Sequence, residues 1–182
     1  SGFSPAWCLG GGRTTNSSVV HGYNNPFSIA SDSTYAYVGD YSNNRIDRIR
    51  ISDGTYMGWL GYITTSPTDG ENTCAGASTT TYTPGWCIGG GAGAVSTNSG
   101  FNQLRSVYYD AAATQLYVGD NSGRLIKLNP STGAFLGVAG GVSAGTSCTI
   151  SGNTANGWCA TATGNSNSNY GGINNPAGMA AN

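Results

Sequence analysis

Apolar and polar positions fall into short runs broken by turn residues, and the chain writes the same order of runs twice. The first copy reads Tyr35-Ala-Tyr-Val-Gly-Asp40, a polar tip through Asn44, and Arg45-Ile-Asp-Arg-Ile-Arg-Ile51. A turn at Asp53-Gly54 and the run Tyr56-Met-Gly-Trp-Leu60 complete it. The second copy reads Gln115-Leu-Tyr-Val-Gly-Asp120, an Asn-Ser-Gly tip, Arg124-Leu-Ile-Lys-Leu128, a turn at Thr132-Gly133, and Ala134-Phe-Leu-Gly-Val138. Short alternating runs bounded by Gly, Asn, Asp and Ser are the pattern of antiparallel strands joined by tight turns. The preceding runs Phe27–Ala30 and Ser106–Tyr109 bring each copy to four predicted strands. Alternation slips near Arg48, which predicts a bulge or a shifted register there.

Two independent markers fix the repeat. Trp7-Cys8, Trp86-Cys87 and Trp158-Cys159 recur at spacings of 79 and 72 residues, and the Asn-Asn-Pro element at Asn24, Asn102 and Asn174 at 78 and 72. Matching spacings define a repeat, and about forty residues with four strands is the size of one propeller blade. The expected organisation is the end of a preceding unit over 1–22, a first four-stranded unit over 23–63 and a cysteine-bearing insertion over 64–100. A second unit over 101–142, a second insertion over 143–172 and the start of a third unit over 173–182 follow. The insertions are too long and polar for ordinary connections and are expected to be surface excursions. Two units and a stub do not close a ring, so either missing units complete it or the units stack with copies in neighbouring chains. The unpartnered Cys8 and the opening of a third unit at Asn174 make the sequence read as a window onto a longer repeat protein.

Composition narrows the function. Lys and Arg total 7, Asp and Glu total 8, and only 8% of the 182 residues are charged. Lys127 is the sole lysine, so the chain offers no basic stripe for nucleic acid. No stretch is long and apolar enough to span a bilayer. No signal-peptide pattern opens the chain, so an exported protein would carry its signal upstream or have lost it. Thirty glycines with abundant Ser, Thr and Asn suit an extracellular or cell-surface protein.

Five cysteines in such a chain suggest disulfides. Cys74 and Cys87 flank one insertion, and Cys148 and Cys159 flank the next at nearly the same separation, so the repeat proposes these two pairs. Cys8 occupies the position of Cys87 and Cys159 with no partner ahead of it. Its partner belongs to an earlier repeat, or the chain is a complete small protein with a free thiol. Zinc is disfavoured, because no Cys-x-x-Cys pair exists and His21 is the only imidazole.

The order Asn24-Asn-Pro-Phe-x-Ile-Ala-x-Asp32 followed by Tyr37-Val-Gly-Asp-x-x-Asn-x-Arg-Ile46 resembles the NHL repeat family. The resemblance is close over Tyr23–Tyr62 and weaker over Phe101–Val138, where Leu104 replaces the proline and one residue is missing before Arg124. It implies NHL-like β-propeller blades, each a four-stranded antiparallel meander. The cysteine-bearing insertions lie outside the general pattern and resemble those of large bacterial surface proteins with tandem NHL-like units.

Candidate sites are few. Asp40, Asn43, Asn44 and Arg45, with Asp120, Asn121 and Arg124, read first as turn chemistry, the carboxylate accepting amide hydrogens and pairing with the arginine. Calcium held by the same oxygens is the sharper alternative, though one carboxylate per turn is thin for that ion. Trp7, Trp86 and Trp158 are expected to pack over the disulfides and shield the gap between units, with sugar stacking as the alternative. A single histidine, no nucleophile elbow and no phosphate-binding glycine loop give no basis for an enzyme or a cofactor. The expected partners are neighbouring repeats or identical subunits, then a glycan or a cell-surface protein. The expected role is structural or adhesive, a fibre, sheath or filament built by repeat packing; a ligand-binding propeller comes second and a propeller lyase or hydrolase last.

Overall fold

A computed structural model describes residues 22–95, 100–151 and 154–164, and these form two antiparallel sheets. In chain order the first sheet holds β1 (Pro26–Ser31), β2 (Tyr35–Asp40), β3 (Arg45–Arg50), β4 (Tyr56–Thr65), β5 (Asp69–Gly70), β6 (Cys87–Ile88) and β7 (Gly91–Gly93). The second holds β8 (Leu104–Asp110), β9 (Gln115–Asp120), β10 (Arg124–Leu128), β11 (Phe135–Thr146), β12 (Thr149–Ser151), β13 (Thr154–Cys159) and β14 (Thr161–Gly164). No helix long and apolar enough to cross a membrane occurs among the described residues.

Each sheet opens with a meander, β1-β2-β3-β4 or β8-β9-β10-β11, in which every strand pairs with its sequence neighbour. Tight turns impose this order. Gly54 and Gly133 both take φ 73°, in the left-handed region that glycine enters without strain, and each donates its amide to a carbonyl four residues back at 2.8 Å. The turn claims Ile51, which was expected in the third strand; the strand ends at Arg50. The expected irregularity is a register shift between Arg48 and Ile49 in the β3–β4 pairing, matched by one between Lys127 and Leu128. It leaves Ile46 and Arg48 on one face and Asp47 and Ile49 on the other.

Each insertion returns to its own sheet: β6 pairs with β4 through Trp59–Cys87, and β13 pairs with β11 through Val138–Cys159. Short outer strands, β5 and β12, extend the sheets further, and β7 and β14 pair with the far halves of β4 and β11. An edge strand with unpaired amides is a template for unwanted pairing, and the insertions occupy that edge. Glycine lets them close in. A side chain at Gly58, where φ is 112°, would lie 2.8 Å from the Trp86 carbonyl carbon, and one at Gly137 would lie 3.3 Å from the Cys159 carbonyl oxygen.

The sheets share one interior. Tyr37, Ile46, Leu60 and Trp86 of the first pack against Val107, Leu116, Val118, Ile126, Leu128 and Val138 of the second. These are successive inward positions of paired strands, so neither set is buried without the other. A smaller cluster of Trp59, Ile63, Cys74 and Cys87 lies on the first sheet's own insertion.

Candidate interaction surface

The two Asp–Arg turns do the same work in both sheets. Asp40 accepts the Asn24 amide at 3.0 Å and the Asn43 side-chain amide at 2.7 Å; Asp120 accepts the amides of Asn102 and Ser122, each at 3.1 Å. Arg45 donates to the Gly22 carbonyl at 3.0 Å, and Arg124 to the Gly100 carbonyl at 2.8 Å. Each pair thereby pins the segment that leads into the first strand of its unit. Arg124 also bonds Asp120, and both side chains are fully buried. Asn44 and Asn121 complete the tips: Asn44 accepts the Gln103 amide at 2.8 Å, and Asn121 donates to the Gln103 side chain at 2.8 Å. Asn44 therefore ties one sheet to the other. No group of three metal-ligating side chains occurs among the described residues.

The turns differ in charge. Arg45 lies between two buried carboxylates, 3.8 Å from Asp40 and 3.0 Å from Asp47, whereas Ile126 takes the place of Asp47 in the second sheet. Tyr56 donates its hydroxyl to Asp47 at 2.7 Å. Burial, and then the neighbouring Asp47 charge, pushes the Asp40 carboxyl up to about 6. A raised carboxyl pKa means that the folded state takes up a proton before the unfolded chain does. Stability therefore rises as pH falls through about 6 and levels off near the unfolded value of about 4. Between pH 7 and pH 5 the gain from Asp40 is about 1 kcal/mol. Asp32 acts oppositely at lower pH: burial pushes it up, but hydrogen bonds from the Tyr35 amide, the Tyr37 hydroxyl and the Thr34 amide outweigh burial and hold it below its ordinary value. Urea titrations at pH 7 and pH 5 are expected to show the gain, and Asp47→Asn to shrink it.

Cys74 is bonded to Cys87 and Cys148 to Cys159, closing loops of 13 and 11 residues. Loops of that size make each bond worth about 2–3 kcal/mol. Cys8 and Trp7 lie outside the described residues.

Trp86 is placed in the gap between the units, where it was expected. It lies between the sheets, and Trp59 is the ring clustered with Cys74–Cys87. The Trp86 indole donates to the Pro130 carbonyl of the second sheet at 3.0 Å, and its ring lies 5.7 Å from that of Tyr37. The Arg48 guanidinium sits 4.5 Å from the Trp86 ring centre and 4.8 Å from that of Tyr35, a buried cation between two aromatic faces. Glu71 pairs with Arg48 from the insertion. Beside this stack a cleft of about 210 Å³ is lined by Asp32, Tyr35, Tyr37, Arg48, Tyr109 and Pro130, among others.

The second sheet carries the same group in open form. The Trp158 ring lies 5.8 Å from Tyr117, and Lys127 stands 4.4 Å over it. Trp86 is fully buried; Trp158 is 38% exposed. The repeat marks the tryptophans, but nothing in the sequence marks Arg48 and Lys127, because charged residues in strands read as solvent-facing.

No protein-family model matches the chain, and no curated protein matches it.

Proposed function

We propose that this chain is an extracellular structural or adhesive element built from NHL-like propeller blades, working by packing unit upon unit into a fibre, sheath or filament. The observation that carries this reading is the shared interior: two sheets of the same plan each bury an apolar face against the other. Such modules are quasi-one-dimensional, with stability residing in the contacts between neighbours. The local disulfides and the scarcity of charge fit a surface location. The test is the mass of the protein in solution, by sedimentation with electron microscopy of concentrated samples. Concentration-dependent assembly is expected, and a strictly monomeric protein contradicts the reading.

A second reading is a ligand-binding module for a glycan or a cell-surface protein. The cleft beside Tyr35, Tyr37 and Tyr109 favours it, since aromatic faces flanked by Asp32 and Arg48 suit a sugar ring and its hydroxyls. A glycan array that shows no enrichment removes it.

A further inference from the structure

We infer that the cleft between the two sheets holds a single sugar ring bearing no acid group, and that its carboxylates reject sugar acids. This rests on the ligand-binding reading and adds the class of ligand and the residues that select it.

The cleft lies where the two units meet. Asp32, Tyr35 and Glu71 line it from the first sheet and its insertion, and Tyr109, Thr114 and Ser131 from the second. At about 210 Å³ it is smaller than the clefts that take drug-sized ligands, and suits one ring rather than a chain of them. Its lining departs from the plan the units share. Gln115 begins β9 where Tyr35 begins β2, and Ser31 faces Ala36 where Tyr109 faces Leu116. Glu71 precedes Cys74 by the same step that separates Gly145 from Cys148. The framework common to both units therefore does not account for Tyr35, Tyr109 or Glu71.

Charge selects the ligand. Arg48 is 2% exposed, and its guanidinium is already bonded to Glu71 and to the Ser131 and Met57 carbonyls, the latter two at 3.4 Å. That cation is spent within the chain, and the accessible charges are carboxylates. The Glu71 side chain is 42% exposed and meets Arg48 through one of its oxygens. Asp32, held below its ordinary value, is ionised at neutral pH. It accepts the Thr34 and Tyr35 amides and the Tyr37 hydroxyl, which leaves acceptor capacity on its two oxygens. Sugar hydroxyls donate to such oxygens. The Tyr35 and Tyr109 hydroxyls bond no other described residue, and their rings offer flat surface to the C–H face of a sugar. A sugar carboxylate in the same place meets like charge at short range.

Glucose, galactose and mannose, each with its uronic acid and 2-amino counterpart, are titrated into the whole chain and followed through backbone amide shifts. At least one neutral hexose is expected to shift the amides of Tyr35, Tyr109 and Thr114 together. Its uronic acid is expected to bind about tenfold more weakly, and its amino counterpart at least as tightly. Asp32→Asn removes one charge and is expected to erase the preference against the acid. Tyr109→Leu is expected to weaken all three ligands about tenfold and leave the preference unchanged. Circular dichroism verifies folding, and Glu71→Gln replaces Asp32→Asn if that variant is unfolded. A uronic acid that binds as tightly as its parent hexose overturns the inference, as does hexose binding that Tyr109→Leu leaves unaltered. A glycan array that shows enrichment while no hexose shifts the cleft amides defeats the inference and spares the ligand-binding reading. No shift and no enrichment defeat both.

Discussion

Replacing Arg124 by methionine is expected to lower stability by about 3–5 kcal/mol, read as a shift of the urea midpoint. Methionine fills much of the same volume, so the loss is electrostatic. Asp120 is fully buried, and without the guanidinium its charge keeps only the amides of Asn102 and Ser122. The Gly100 carbonyl loses its donor in the same step, and the segment leading into β8 loses its anchor. Breaking a buried pair from one side costs more than removing both charges, because the orphaned ion must stay desolvated. Asp120→Asn combined with Arg124→Met is therefore expected to recover part of the loss. A double variant no more stable than the single one would place the cost in packing.

Trp86→Ala is expected to cost a similar amount, about 3–5 kcal/mol. The indole fills the space between the sheets, donates to Pro130, and forms one wall of the slot that holds Arg48. Alanine leaves a cavity there and removes one aromatic face from a guanidinium that is 2% exposed. The same change at Trp158, whose ring faces solvent on one side, is expected to cost much less.

Strands and turns were legible because their physics is local. Gly54 and Gly133 stop strands wherever they occur, and the Tyr-Val-Gly-Asp runs alternate well enough to declare a pleated surface. The pairs Cys74–Cys87 and Cys148–Cys159 were legible for another reason: a repeat fixes equivalence, and equivalent cysteines at equivalent spacings suggest equivalent bonds. What was not legible depended on contact across long separations. Strands β5 and β6 are two residues each, too short for any period, and exist only because Gly58 lets the insertion approach β4. Arg48 and Asp47 look like solvent-facing residues of a strand, yet both are buried, one between aromatic rings and the other beside Arg45. The place of Trp86 depends on Pro130, 44 residues further on. No pattern within either unit announces that meeting.

The two sheets form a single cooperative body, each supplying part of the other's interior. Native-state hydrogen exchange on Trp86→Ala tests it most directly, because the substitution lies in the first sheet and the readout can be taken in the second. Amides of β9 and β10 are expected to lose as much protection as those of β2 and β3. Loss confined to β2 and β3, with β9 and β10 exchanging as in the unaltered chain, would contradict it.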